Sequence, residues 1–213
     1  MRIAGGVSRF APELQLPVNG ARRFSQAISE GDGISLVALV GDLESARDAE
    51  EQGAEALVVS RPIEGLGEAT ALPVLWRPPG APESAERAGA DACVVSVAGL
   101  DEENGDLERL HREALALGLD CVVEVSSEEE LERALERIDP EILLLSSERD
   151  GDGGPLDRAL ELLPDVPAGK LAVAELNAAG RHEVEELERA GVDAVIVDAG
   201  NLTGLAGEPP PEV

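Results

Sequence analysis

Aromatic residues are almost missing: the 213-residue chain has no tyrosine, one tryptophan (Trp76) and two phenylalanines (Phe10, Phe24). A core without rings must be built from Val, Leu, Ile and Ala, a composition that favours buried parallel strands under Ala- and Leu-rich helices. Basic residues are also scarce. Lys170 is the only lysine, and 17 Lys and Arg stand against 44 Asp and Glu, for a formal net charge of −27. Nucleic acid is excluded as a partner, because a phosphate backbone is bound by exchanging counterions for Lys and Arg and no basic stripe exists here. The acidic excess reads as a solvated, self-repelling surface. Two cysteines, Cys93 in ACVVSV and Cys121 in DCVVEV, lie inside apolar runs without CxxC spacing and read as core thiols. The two histidines, His111 and His182, fall on charged, exterior-type helical stretches, so no metal set is visible. No apolar stretch reaches bilayer length, and MRIAGGVSRFAPE has no apolar segment followed by a cleavage site, so no membrane partner and a cytoplasmic location are expected.

The length suits a single domain, 1–213, with one sizeable core. Its organisation shows in a recurring phrase: a charged helical stretch ends at Gly, an acidic residue usually follows, and a β-branched apolar run begins. The phrase appears as EEQGAEALVVS, ERAGADACVVSV, ALGLDCVVEV and ERAGVDAVIVD, around Gly53, Gly89, Gly118 and Gly191. A helix closed by Gly and followed by a short continuous apolar strand is the αβ half of a βαβ unit. Eight such strands are predicted: Ser35 to Val40, Ala56 to Ser60, Pro73 to Trp76, Ala92 to Val97, Cys121 to Val125, Ile142 to Ser146, Leu171 to Ala174 and Ala194 to Val197. Between them lie amphipathic patterns such as SEEELERALERI, where Ser127 and Glu130 form a capping box. Eight alternating units predict a small α/β protein of the (β/α)8 TIM-barrel class. An N-terminal extension, 1–33, carries a short helix near Ala21 to Ser29 that would cap the barrel bottom. The tail 199–213, AGNLTGLAGEPPPEV, is too short and too rich in Gly and Pro for a full last helix. ERDGDGGP lacks a complete calcium-loop spacing and reads as a βα loop, and GLGEAT reads as a turn.

From about Phe24 onward the order of phrases resembles indole-3-glycerol phosphate synthase. FSQAISEGDGISLVALV is similar to the family's entry helix and first strand, ALPVLWRP to its third strand and AGADACVVSVAGLDEE to its fourth. LGLDCVVEVSSEEELERALE is similar to its fifth strand and helix, and ILLLSSERD, KLAVAELN and AGVDAVIVDAGNL stand where its last three strands do. The resemblance implies ring closure, decarboxylation and dehydration of a carboxyphenylamino-deoxyribulose phosphate, with no cofactor. That chemistry needs a cation acting as acid on the substrate carbonyl, carboxylates to move protons, and backbone N–H groups to hold the phosphate.

By the same resemblance, Glu124 and Glu175 fall on the proton-transferring glutamate of the fifth strand and the glutamate of the seventh. Arg77 falls on the general-acid lysine of the third; it keeps the charge but hardly ever gives up a proton. A structural ion pair of Arg77 with either glutamate is the alternative to a catalytic role. Leu39 and Gly41 replace a Glu and a Lys of the first strand, and the loop that would follow is absent, since GDLESARDAEEQGA runs directly into a helix. Ser146 and Ser147, followed by Glu148 or Arg149, replace an asparagine pair and an arginine. Leu176 and Asn177 replace a Ser-Gly, and Asp198 replaces a glycine near the phosphate site, with Gly200 close by. Lys170 precedes the seventh strand and is expected at the opposite, N-terminal face.

Two readings follow. One is a catalytically impaired homologue, a pseudoenzyme, with a binding or regulatory role. Its candidate partners are a small phosphorylated or anionic metabolite or a protein of the tryptophan pathway. The other is an active carboxy-lyase of tryptophan biosynthesis, or a related phosphosugar enzyme, with Glu124 and Glu175 as acid and base and Arg77 as electrostatic clamp. Ser146, Ser147, Asn177 and Gly200 are the candidate substrate-binding residues in either case.

Overall fold

The computed structural model describes residues 22–31, 33–78, 80–101, 104–147, 154–176 and 179–205, in which eight parallel strands close in sequence order into a barrel. The strands are β1 (Ser35–Val40), β2 (Ala56–Val59), β3 (Val74–Trp76), β4 (Ala92–Ser96), β5 (Asp120–Val125), β6 (Ile142–Leu145), β7 (Leu171–Glu175) and β8 (Ala194–Asp198). Each agrees to within one residue at either end with the apolar run that predicts it. Helix α1 (Arg23–Ser29) precedes β1, and α2 (Leu43–Glu51), α3 (Leu66–Ala69), α4 (Glu83–Arg87), α5 (Asp106–Ala116), α6 (Glu128–Arg137), α7 (Pro155–Leu162) and α8 (Arg181–Ala190) follow β1 to β7 in turn. Among the described residues, which end at Leu205, β8 is followed by a six-residue 3₁₀ segment, Ala199–Gly204. Among the described residues no helix is long and apolar enough to cross a membrane.

The recurring Gly-acid phrase has a specific use at the barrel bottom. Gly53, Gly89, Gly118 and Gly191 take φ values of 88, 72, 76 and 99°, a left-handed conformation that strains any side-chain-bearing residue. The acid that follows then ties down the start of the neighbouring strand. Asp91 donates its N–H to Val74 O and accepts the Val74 N–H on Oδ2, both at 2.9 Å. Asp193 does the same with Ala172, at 2.9 and 2.7 Å. These contacts satisfy strand-start amides that would otherwise be orphaned at the bottom rim of the barrel. Asp120 turns its carboxyl to α1 instead, accepting from Ser25 N at 2.9 Å and Ser25 Oγ at 3.3 Å. It caps a helix whose own N-cap, Arg22, supplies no side-chain bond.

The interior is aliphatic and layered. Strand register aligns Ala56, Ala92, Ile142 and Ala194 in one layer, Val37, Leu75, Val122 and Val173 in the next, and Val58, Val94, Leu144 and Ile196 above them. All twelve are buried, and three layers of four from alternate strands is the packing such a barrel demands. The lowest layer is three alanines and one isoleucine, which leaves room beneath it. Phe24 and Ile28 of α1, 0% and 2% exposed, join this cluster from below. The entry helix is thus a plug that completes the core, and one of the chain's two phenylalanines is spent on it. Of the extension, residues 1–21 lie outside the described residues.

Phe24→Ala should empty this plug and lower the unfolding free energy by about 3–5 kcal/mol, read from urea denaturation followed by far-UV circular dichroism. Burial holds the Asp120 carboxyl above the ordinary carboxylate range, against the opposing hydrogen bonds from Ser25. The folded chain therefore binds that proton more tightly than the unfolded one, and ionisation removes stability as pH rises through the raised pKa. Asp120→Asn cannot ionise, so its stability relative to the parent should increase from about pH 4 toward neutrality. A flat difference across that range, in parallel urea titrations, would refute the assignment.

Candidate functional site

At the C-terminal end of the barrel the inward positions change from aliphatic to charged. Strands of a barrel tilt, so residues level with one another advance by two positions at every second strand. Leu39 pairs with Val58 and Val58 with Leu75, which makes Arg77 level with Leu39. The register carries on through Ala92, Val94 and Val122 to Glu124, through Leu144 and Val173 to Glu175, and through Ile196 and Val37 back to Leu39. The odd strands thus supply one closed layer: Leu39, Arg77, Glu124 and Glu175.

Three of these four meet. Arg77 Nη2 lies 2.6 Å from Glu124 Oε1 and 2.9 Å from Glu175 Oε2, and Nη1 donates to Glu124 Oε2 at 3.3 Å. The fork engages Glu124 with both ends and bridges to Glu175, the bidentate geometry that separates arginine from lysine. The side chains are 23%, 14% and 21% exposed, so the triad is largely withdrawn from solvent. Burial opposes the Arg77 charge, but Glu175 and Glu124 more than offset it and hold the guanidinium above its ordinary value. Nε is buried without a hydrogen-bond partner. Arg77 remains a cation under all ordinary conditions and cannot act as a proton donor.

The next layer up comes from the even strands. Continuing the same alternation gives Ser60, Ser96, Ser146 and Asp198, of which Ser146 is buried, Ser96 half-buried and Ser60 and Asp198 exposed. Ser60 and Ser96 join the candidate residues of the mouth, and no motif in the sequence marks them. The signal that finds them is the inward period of two carried past each strand end. Ser146 Oγ donates to Val125 O at 3.4 Å, and Ser147 is half-buried beside it. Gly200 lies in the 3₁₀ segment next to Asp198. Asn177, Glu148 and Arg149 lie outside the described residues. These two layers hold one guanidinium and three carboxyl groups, and just past the ends of β2 and β1 Arg61 donates to Gly41 O at 2.9 Å.

The remaining candidates lie elsewhere. Lys170 is at the N-terminal face, paired with Asp139 at 2.6 Å, and takes no part in the mouth. His182 is exposed, but His111 departs from the solvated expectation. It is half-buried, and desolvation, then Arg112, holds its pKa down. The cause is its place on α5, in a cleft at the barrel bottom shared with Asp120 and Cys121. Cys93 and Cys121 are register partners on β4 and β5, both buried, and contact with Cys93 followed by burial pushes the Cys121 thiol up. They are the core thiols their apolar runs predict. No group of three or more metal-ligating side chains occurs among the described residues. The capping box at α6 is offset: Glu130 N donates to Ser127 Oγ, while the Glu130 carboxyl accepts from Ser126 N and Oγ.

A family model described as indole-3-glycerol phosphate synthase matches residues 82–202. The indole-3-glycerol phosphate synthase of Pelodictyon phaeoclathratiforme is 34% identical over 116 residues, 54% of this chain and 44% of that protein. That of Nocardioides sp. is 38% identical over 114 residues, 53% and 43% of the two chains. The matches thus span less than half the length of these curated relatives. Among solved structures, N-acetylmannosamine-6-phosphate 2-epimerase from Clostridium perfringens superposes with a TM-score of 0.68 at 14% identity, over 93% of this chain and 95% of that one. Thiamine phosphate pyrophosphorylase from Pyrococcus furiosus gives 0.60 at 17%, over 81% and 93%. These two likenesses concern the fold. The family match includes Glu124, Ser146, Glu175 and Gly200, while Leu39, Gly41 and Arg77 precede it.

Removing the cation from the triad should leave two carboxylates facing each other in a largely buried layer. Arg77→Met is therefore expected to lower stability by about 2–4 kcal/mol. Adding Glu124→Gln and Glu175→Gln to it should recover most of that loss, because the uncompensated charge is gone. Urea denaturation of the single and triple variants measures both effects.

Proposed function

The chain belongs to the indole-3-glycerol phosphate synthase family, and we propose that this member is a catalytically impaired barrel with a binding or regulatory role. The observation that carries the reading is the engagement of Arg77 with both Glu124 and Glu175. The synthase reaction that the resemblance implies needs a cation able to give up a proton and carboxylates free to accept one. Here the one cation of the layer does not titrate, and each carboxylate is occupied by it. Leu39, in the same layer, contributes an apolar side chain where the resemblance calls for an acid.

Two further observations support this reading. The departures Leu39, Gly41 and Arg77 all fall before the stretch that matches the family model, whereas Glu124 and Glu175 fall within it. The changes at Ser146, Ser147, Leu176, Asn177 and Asp198, by contrast, fall inside the matching stretch. Asp198 on the upper layer would also repel a bound phosphate dianion. Of the two partner classes expected from sequence, this charge balance favours a protein, such as one of the tryptophan pathway, over a phosphorylated metabolite.

The test is fluorescence detection of indole-3-glycerol phosphate formed from the carboxyphenylamino-deoxyribulose phosphate, with Glu124→Gln as control. The expected outcome is no turnover above that control, even at high protein concentration. Turnover abolished by Glu124→Gln would overturn the reading and make the chain an active carboxy-lyase, with the arginine serving as electrostatic clamp.

A further inference from the structure

Two nucleophilic side chains lie well away from the mouth, and they lie side by side. Cys93 and Cys121, the chain's only cysteines, are register partners in the parallel ladder of β4 and β5. Ala92, Val94 and Val122 of the same strands face the barrel axis, so both thiols project outward, toward the layer of helices. Register partners in a parallel ladder stand about one strand spacing apart, roughly 4.8 Å. That separation is inside the roughly 4.4–6.8 Å between Cα atoms that a disulfide spans. The side chains are in contact: Cys121 donates to Cys93 and holds the Cys93 thiol below its ordinary value. The pair is 2% and 4% exposed, yet it is not sealed. Cys121 lines a cleft of about 190 Å³ at the barrel bottom, with His111 and Leu115 of α5 on its wall. A peroxide molecule, little larger than a water with its share of roughly 30 Å³, fits that space.

We propose that Cys93 and Cys121 are a dithiol/disulfide couple that a peroxide entering this cleft closes, linking β4 to β5 within one chain. The thiolate of the pair attacks one peroxide oxygen and breaks the O–O bond. The hydroxide set free takes up a proton and leaves as water, and the sulfur becomes a sulfenic acid. The second thiol attacks that sulfur, breaks its S–O bond and forms the S–S bond, and the oxygen leaves as a second water. Two thiols thus lose two electrons, and one peroxide is reduced to two waters. The β-carbons of register partners stand nearly one strand spacing apart, above the roughly 3.5–4.5 Å of a relaxed disulfide, so β4 and β5 must draw together slightly. A bond closed under that strain is readily reduced, which makes the link reversible. It lies three positions before Ser96 and Glu124, themselves register partners, and so sets the strand spacing beneath the mouth. The inference stands apart from the reading of the barrel mouth and does not need it.

The test exposes the intact, folded protein to hydrogen peroxide, blocks the remaining thiols with iodoacetamide in denaturant, and weighs the chain. A monomer lighter by two hydrogen atoms, with neither cysteine blocked, is expected. Tryptic digestion should then yield one joined peptide made of 88–109 and 113–133. An excess of reduced glutathione should restore both thiols, and Cys93→Ala should give no joined peptide. Leu115→Trp, which narrows the cleft, should slow closure at least about threefold. Thiols that stay reduced in the folded chain while the urea-unfolded chain oxidises would overturn the proposal, as would disulfide-linked dimers or sulfinic acid at either cysteine of the unaltered chain. Closure as fast in Leu115→Trp as in the parent would overturn the cleft as the way in, and a link that glutathione leaves intact would overturn its reversibility.

Discussion

Everything in this barrel hangs on the register of a closed parallel sheet. Once β8 pairs with β1, each strand has a fixed height relative to its neighbours, and side chains alternate between the axis and the helices with no freedom to slip. A one-residue shift in any strand would exchange its inner and outer faces. Both faces of these strands are apolar, so burial by itself does not forbid such a shift. In the register found, three layers of Ala, Val, Leu and Ile, plugged by Phe24 and Ile28, fill the axis. The same register then decides that Arg77, Glu124 and Glu175 arrive at one height and must interact.

Positive charge is the scarce resource in this chain, and its distribution is informative. Arg23 pairs with Asp91 and Lys170 with Asp139 at the barrel bottom, near the surface, where solvent screening leaves such pairs little energetic weight. Arg77 is placed differently. It is held between two carboxylates in a layer that is mostly withdrawn from water, where removing the guanidinium would leave the two carboxylates facing each other.

Several features were legible before the fold was known. The Gly-acid-apolar phrase marks where strands begin, and the eight runs locate all eight strands because apolar surface on both faces is the signature of a covered parallel sheet. The phrase does not say what its acid is for. Asp91 and Asp193 bond a neighbouring strand while Asp120 caps α1, a difference set by which backbone N–H lies unpaired beside each. Ser60 and Ser96 gave no motif signal, because a serine after an apolar run looks like the start of any loop. His111 appeared exterior because its neighbours in sequence are charged, yet the helix turns it into a cleft at the barrel bottom.

Sequence alone determined the number, order and boundaries of the strands and the aliphatic character of the core, and the family resemblance implied the loss of the first-strand Glu and Lys. The strand pattern and the core are properties of composition and of periods of two and 3.6 residues, which are local. Only the tertiary structure decided that Arg77 is shared between Glu124 and Glu175 and that Leu39 completes their layer. Those facts join residues up to 98 positions apart, and such distances are fixed by barrel closure and strand tilt, which no local stretch of the chain encodes.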